Sequence, residues 1–404
     1  MYNIKIMIEP RTLKGFRDFL PLEARKRQYV MQALRKVFES YGFEPLETPA
    51  LELEDILSGK YGEEGDKLMY RFTDNGDRRV AMRYDQTVPL ARVAAQYQND
   101  LPSPFKRYQI QNVWRAENTQ KGRYREFLQC DIDTLGTNSN LADAEILATV
   151  AQAYTTLGFT NFKILCNDRK LFQELETRAI ITIDKLKKIG EEAVIAELEK
   201  IGVSKDTFNA IKNAPIPEDL EDIFNSATRF GVSPEVLVFD PTLARGLDYY
   251  TGLIFEVVVD AYPVGSLCGG GRYDELVGMF TKNNIPAIGC AFGFDRTIEA
   301  MDALNLFPSS LTTTQVLVTI FEPALTDASF AAANILRTAN INTEIYLDTN
   351  AKMDKQLKYA NKKNIPYAVI IGPDENNSGQ VTVKDLVRGE QKSVLLSELP
   401  HVIT

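Results

Sequence analysis

Apolar positions along this chain switch between two periods. Val30, Ala33, Leu34, Val37, Phe38 and Tyr41 recur at the three-and-four spacing of one helix face, and Gly42 supplies the stop. The pattern then shortens, and Phe43 to Thr48 reads as a strand ended by Pro49, which has no N–H to give a ladder. Runs rich in β-branched and aromatic residues predict further strands at 68–72, 80–84, 106–114, 127–135, 163–166 and 253–259, with a helix over 141–157. Strands joined by hairpins, with few crossover helices, predict a mainly antiparallel sheet carrying helices, an α+β domain.

Two stretches break that texture. Residues 171–233 are rich in Lys and Glu, keep helical spacing with stops at Gly190 and Gly202, and lack a strand pattern. They read as a helical insertion dividing the domain into residues 1–170 and 234–304. The turn-rich segment 305–314 reads as a linker. Beyond it a strand at 316–321, a helix at 327–339 with Ala328, Ala332, Ile335 and Ala339 on one face, a strand at 343–347, a helix at 353–364 and a strand at 367–371 alternate. That alternation predicts a small parallel-type α/β domain over residues 315–404.

Composition narrows the chemistry. With 44% hydrophobic and 25% charged residues the chain has a globular make-up, and no apolar run is long enough to cross a bilayer. The opening residues lack the features of a secretory signal, so the expected location is the cytoplasm. Cys130, Cys166, Cys268 and Cys290 are scattered, with no Cys-x-x-Cys pair, and read as buried apolar residues rather than a disulfide frame or zinc site. The one histidine, His401, stands three residues from the end, which leaves no basis for a Ser–His or Cys–His nucleophile or a multi-histidine metal site. The net charge of −9 gives no general support for nucleic-acid binding, which neutralises phosphates, so any such contact needs a local patch. Lys352, Lys355, Lys358, Lys362 and Lys363 form a candidate.

Arginine carries the most specific signal. Arg115, Lys121, Arg123 and Arg125 surround Gly122 between two predicted strands, a basic hairpin suited to a polyphosphate because guanidinium is planar, bidentate and always charged. Two distant segments join it: Arg245-Gly-Leu-Asp-Tyr-Tyr250 and Cys268-Gly-Gly-Gly-Arg-Tyr-Asp274. The glycines at 269–271 permit close backbone approach or unusual dihedrals.

Together with Gly15-Phe-Arg-Asp-Phe-Leu-Pro21 and Gly289-Cys-Ala-Phe-Gly-Phe-Asp-Arg296, these segments resemble the histidyl-tRNA synthetase family of class II aminoacyl-tRNA synthetases. The helix–strand–proline element looks like the class's first motif, which forms a homodimer interface. The Arg115 hairpin looks like the second motif and Gly289–Arg296 like the third. The Arg245 and Gly-Gly-Arg-Tyr-Asp peptides are those peculiar to the histidine enzyme. Lys355–Asn361 and Ile365–Gly372 resemble its anticodon-binding domain. The likeness implies an antiparallel-sheet catalytic domain with a helical insertion, followed by a small α/β domain. It also implies a ligase that makes histidyl-adenylate and pyrophosphate from histidine and ATP, then transfers histidine to tRNA(His). Mg²⁺ would come with the ATP.

The resemblance further assigns roles. Arg115, Glu117, Arg123, Phe127 and Arg296 would hold ATP, with Arg115 and Arg245 acting on the α-phosphate. Asp133 and Tyr250 would receive the imidazole, with Tyr273 and Tyr249 nearby, and Asp85, Thr87 and Gln129 the α-amino group; Arg245 would also border bound histidine. Gln120, Lys121, Lys355 and Lys358 are candidates for tRNA. Ala116 and Thr119 depart from the family pattern, which commonly has a basic or polar residue and a proline there. A non-catalytic relative, the regulatory subunit of ATP phosphoribosyltransferase, senses histidine but typically lacks the arginine found here at 245 and the C-terminal domain. This chain has both.

Overall fold

The structure, a computed structural model, describes residues 8–60, 62–119, 122–245, 249–281 and 284–403, without the side chains of residues 62–64. Two compact units account for the chain: residues up to Phe19 with Arg27–Phe307, and Leu20–Lys26 with Pro308–Thr404.

The first unit is built on an eight-stranded sheet. Its strands in spatial order are β1 (Glu44–Pro45), β5 (Phe105–Trp114), β6 (Glu126–Leu135), β11 (Ala287–Phe292), β10 (Cys268–Arg272), β9 (Leu253–Val258), β7 (Lys163–Asp168) and β8 (Leu237–Phe239). All neighbours are antiparallel except the outermost pairs, β1–β5 and β7–β8. A small antiparallel sheet, β2 (Leu51–Leu53), β4 (Arg79–Met82) and β3 (Arg71–Thr73), lies outside it in sequence between β1 and β5.

Strand alternation gives the large sheet two unlike faces. Tyr108, Cys130, Ile132, Ile288, Cys290, Phe292, Cys268, Phe255 and Val257 share one apolar core with Val30, Leu34, Val37 and Phe38 of the helix Pro21–Ser40 and with the helix Asn140–Thr156. Phe292 anchors this layer, its ring 5.4 Å from Phe38 and 5.8 Å from Tyr154. The second helix is apolar on nearly every side, and its buried Asp143 pairs with Arg272 of β10. All four cysteines are buried and free. The opposite face carries Arg107, Gln109, Gln129, Asp131, Asp133 and Glu256 among Gly269, Gly271, Gly289 and Ala291, and there the chemistry concentrates.

Residues 177–229 are helical, in five pieces. The first four enclose a core of Phe172, Ile183, Val194, Leu198 and Phe208, which is continuous with Ala244, Tyr250 and Ile254 of the sheet domain. The fifth, Glu218–Arg229, places Leu220, Ile223 and Ala227 in the main core.

The second unit has a five-stranded sheet ordered β13 (Thr343–Ile345), β12 (Val316–Val318), β14 (Tyr367–Ile370), β15 (Gln380–Asp385) and β16 (Gln391–Leu395). The first three are parallel, and β15 and β16 extend them antiparallel. This last hairpin has no counterpart in the sequence pattern because β16 is mostly exposed and carries Gln391, Lys392 and Ser393. The helix Thr326–Thr338 buries Ala332 of the predicted Ala328–Ala332–Ile335–Ala339 stripe and packs Ala328 against the core, but its other buried positions are Ser329, Ala333 and Leu336 rather than Ile335 and Ala339. Ser329 is accommodated because its hydroxyl donates to the Thr319 carbonyl at 3.0 Å. Another correction concerns Phe43–Thr48: only Glu44 and Pro45 pair as strand, and the Leu46 N–H adds one further bond to Tyr108 O. Thr48 N–H instead donates to the Gln111 side chain.

Candidate active site

Three missing side chains shape the floor of the polar face. A Cβ on Gly269 would fall on Arg245 Nη1, one on Gly271 would come 2.8 Å from the Tyr250 ring, and one on Gly289 would strike the Asp133 carboxylate. The bare backbone therefore lets Arg245, Tyr250 and Asp133 lie down on the sheet. Gly269–Gly271 form regular strand with no positive φ, so close approach, not an unusual dihedral, is what requires glycine here.

Asp133 sits at the closed end of this floor. Tyr273 Oη donates to its Oδ1, and Arg107 Nη2 lies 2.7 Å from its Oδ2. Arg107 is 0% exposed and occupies the position of β5 directly opposite Asp133. Asp131, two residues along the same face, accepts from Gln129 Nε2 at 2.7 Å. Gln86 Nε2 ties the neighbouring backbone together by donating to Gln111 O at 2.9 Å and Gln129 O at 3.1 Å. Asp85 accepts from the Val88 N–H at the start of the helix Thr87–Gln96, which fixes it and Thr87 beside that platform. The Tyr249 ring is 4.8 Å from Tyr250 and 6.0 Å from Tyr273.

Burial dominates the electrostatics. It pushes the Asp131 carboxyl up to about 8, with the Arg107 charge opposing and Asp133 adding to the rise. Asp133 is also raised by burial, against the pull of Arg107 and of the Tyr273 hydroxyl. Burial raises Tyr249, Tyr250 and Tyr273, so all three phenols are neutral donors. A pocket of this kind presents an anionic or neutral acceptor and several phenolic partners to a small polar ring.

The other end of the floor is cationic. Arg115 Nε donates to Tyr84 O at 3.0 Å, and its guanidinium stands 4.4 Å from the Tyr84 ring and 5.2 Å from the Phe127 ring. Arg123 pairs loosely with Glu117 at 3.4 Å. Arg296 opens the helix Phe294–Ala303 and donates to Ser266 O at 3.1 Å. Arg245 contacts Glu256 at 3.2 Å and the Phe255 carbonyl at 3.4 Å. Strand register relates these groups, because Asp131, Ala291, Gly269 and Glu256 form one row across four strands. At the usual strand spacing, Asp131 and Gly269 are about 10 Å apart. Phe127 and Arg115 lie toward the hairpin end of β6, the end at which β11 runs out into the helix bearing Arg296.

Several residues with no assigned role in the sequence reading hold the site together. Arg17 bridges to Asp295 at 2.7 Å, Arg27 pairs with the same carboxylate, and the Arg17 guanidinium lies 3.2 Å from the Tyr124 ring. Gly15 O accepts from the Arg125 N–H at 2.9 Å. The residues before Leu20 thus strap the hairpin and the Arg296 helix. Arg107, Asp131 and Glu256 were also missed, and the signal was a charged residue at inward positions of otherwise buried strands.

Other candidates lie elsewhere. Gln120, Lys121 and the Gly246–Asp248 portion of the Arg245 peptide fall outside the described residues. Lys355 and Lys358 are exposed on the second unit's helix Met353–Lys362 and pair with Asp348 at 3.2 Å and Asp354 at 2.7 Å. Lys363 pairs with Glu344, so acids break up the lysine patch. Two open clefts of about 280 and 260 Å³, beside Asp168–Lys170–Asp219 and Ser139–Asp222–Arg229, touch none of the site residues.

Comparison with known proteins sets this geometry in a family. The Histidyl-tRNA synthetase family model matches residues 15–206 and 170–297, and an Anticodon binding domain model matches 315–404. A histidine–tRNA ligase of Cytophaga hutchinsonii is 40% identical, covering 98% of this chain and 99% of its own length. That of Rhodopirellula baltica is 41% identical, covering 97% and 96%. The crystal structure of histidyl-tRNA synthetase from Nostoc sp. PCC 7120 superimposes with a TM-score of 0.88 at 32% identity, over 98% of this chain and 99% of that one. With the antiparallel α+β sheet and the small α/β unit both in place, this chain belongs to the histidyl-tRNA synthetase family.

Proposed function

We propose that this chain is a ligase that charges tRNA(His) in two steps. The histidine carboxylate attacks the α-phosphorus of ATP, the bond to the β-phosphate breaks, and pyrophosphate leaves. A ribose hydroxyl at the end of the tRNA then attacks the acyl carbon, and AMP leaves. What supports this most is the position of Arg245 over the bare Gly269 backbone, in the same peptide as Tyr249 and Tyr250 of the acceptor pocket.

The first step brings two anions together, so it needs fixed positive charge and alignment more than a protein base. Arg115 and Arg245 supply that charge at the α-phosphate, where a single preorganised donor is worth about 3–4 kcal/mol. Arg123 and Arg296 take the outer phosphates, while Glu117 and Phe127 hold the adenine by hydrogen bonding and stacking. Mg²⁺ travels with the ATP phosphates, as hard cations do, and neutralises part of their charge when bound.

Selectivity follows from the imidazole. Asp133 and Tyr250 hydrogen-bond its two nitrogens, with Tyr273 holding Asp133 from beside them, and leaving such buried groups unpaired rejects an apolar analogue by about 10⁴-fold. Asp85, Thr87 and Gln129 receive the α-ammonium. Lys355 and Lys358 lie in the unit matched by the anticodon-binding model, and their exposed pairs open readily to phosphates. We assign Gln120 and Lys121 to the acceptor end of the tRNA. The working form is a homodimer, and the apolar Leu51, Leu53 and Phe72, each at least 41% exposed, favour it. The cytoplasm is where histidine, ATP and tRNA meet.

Histidine-dependent exchange of pyrophosphate into ATP tests the reading. Exchange that depends on histidine and on no other amino acid is expected. A folded protein without exchange would overturn the enzyme reading in favour of a histidine sensor.

A further inference from the structure

Buried polar atoms without a hydrogen-bond partner gather under the imidazole end of the floor. Gln86 Oε1, Arg107 Nε and Nη2, Gln129 Oε1, Asp131 Oδ1 and Asp133 Oδ2 are all in this condition. A native interior rarely leaves so many polar atoms idle in one place unless something binds there or a charge is being held in reserve. Arg107 is the only guanidinium in the group. Its Nη2 lies 2.7 Å from Asp133 Oδ2 without hydrogen-bond alignment, and Nη1 donates to Gln109 Oε1 at 3.3 Å.

We propose that Arg107 is a positioning residue for histidine selection, acting through Asp133. From the facing strand, its charge keeps Asp133 an anionic, acceptor-only partner for an imidazole N–H. This rests on the assignment of Asp133 to the imidazole made above.

Charge balance carries the argument. Asp85, Asp131 and Asp133 face one another across this small volume, with Tyr249 and Tyr273 beside them and the buried thiols of Cys130 and Cys290 next to the two strand carboxyls. Asp131 and Asp133 share the Arg107 guanidinium, so the two cannot both ionise cheaply in a dry site. Asp133 has the direct contact with Arg107 and the Tyr273 hydroxyl on its other oxygen. Asp131 has only a Gln129 amide, which leaves it as the carboxyl that keeps its proton. Removing Arg107 would let Asp133 take up a proton as well. A protonated Asp133 no longer accepts freely from a ring N–H, and histidine loses its orienting partner.

The experiment uses the full chain and compares Arg107→Met, Arg107→Lys and the double variant Arg107→Met/Asp131→Asn. For Arg107→Met, KM for histidine in pyrophosphate exchange should rise at least 10-fold, while KM for ATP changes less than 2-fold. The acid limb of kcat/KM for histidine should move up by about one pH unit, because Asp133 loses the charge that held its pKa down. Arg107→Lys should recover most of the loss, since it restores the charge. The double variant should match Arg107→Met, because Asp131 is already neutral and replacing it frees no charge. Histidine KM of Arg107→Met within 2-fold of wild type, equal rises for both substrates, no recovery in Arg107→Lys, or full recovery in the double variant would overturn the proposal. Should Arg107→Met fail to fold, Arg107→Gln takes its place under the same two KM criteria. Wild-type protein without histidine-dependent exchange would sink the underlying reading instead, so the two failures are distinguishable.

Discussion

A methyl group on Gly269 would coincide with Nη1 of Arg245, whose guanidinium rests on the bare backbone of β10. The neighbour that must yield is the tip of a flexible side chain, so Gly269→Ala should fold with a Tm close to wild type. Arg245 would be pushed off its position, and pyrophosphate exchange should fall about 10²–10³-fold, the cost of losing one preorganised donor. The adjacent Gly270→Ala makes the contrast. Its Cβ would meet Gly289 O and the Cys290 Cα, which are main chain and cannot step aside. Overpacking of that kind costs about 1–3 kcal/mol and should appear as a lower Tm in a thermal scan. Equal Tm losses in the two variants would contradict this division.

The sequence made the long central strands readable because burial on the apolar face repeats every second residue. Phe105–Trp114 and Glu126–Leu135 differ from the predicted limits by one residue at most. Cys268–Arg272 and Ala287–Phe292 were not read as strands, because glycine has low strand preference and only the fold reveals that Arg245, Tyr250 and Asp133 need the space. Arg115 stands out as part of a basic hairpin, whereas Asp133 is singled out only by the resemblance of its peptide to a known family. Arg107 does not stand out, because beside Lys106 on a strand that also carries Gln109, Gln111 and Asn112 it reads as one of several polar positions, marked only by its inward alternation. Its facing partner is 26 positions away in the chain, and the strand register brings the two together.

Asp131 should leave a mark on stability as well as on binding. Its carboxyl is pushed from the ordinary 3.8 up to about 8 by burial, so in the free protein it keeps a proton that the unfolded chain gives up. The native state then binds more protons than the unfolded state, and stability falls as pH rises. The contribution is fully present below about pH 4 and lost on passing through about pH 8. Asp131→Asn cannot titrate, so its Tm should decline less than wild type between pH 5 and pH 9. Parallel Tm–pH curves for the two proteins would show that Asp131 ionises in the folded state as it does when unfolded.

Arg17 and Arg27 converge on Asp295, the residue before Arg296. Arg17 also caps the Tyr124 ring of the hairpin, so one carboxylate ties the residues before Leu20 to both the hairpin and the helix Phe294–Ala303. Asp295→Ala should loosen Arg123 and Arg296 without touching Asp133. KM for ATP should rise about 10-fold, in line with the loss of one charged hydrogen-bond partner. KM for histidine should stay within 2-fold. A rise confined to histidine would place the effect in the wrong half of the site.

Replacing Lys355 and Lys358 should separate tRNA charging from adenylate formation. Both are exposed and paired only with Asp348 and Asp354, so exchanging them for glutamate removes little that the fold depends on. Adenylate formation needs no residue of that helix, and histidine-dependent exchange by Lys355→Glu/Lys358→Glu should equal wild type. Charging of tRNA(His) should fall at least 10-fold at physiological salt, because two phosphate-neutralising charges become repulsive. The salt dependence should change with it: lost phosphate contacts mean fewer released counterions, so the plot of log affinity against log salt should become shallower. A variant that charges tRNA normally, or one that loses exchange and charging equally, would show that these lysines do not contact the tRNA.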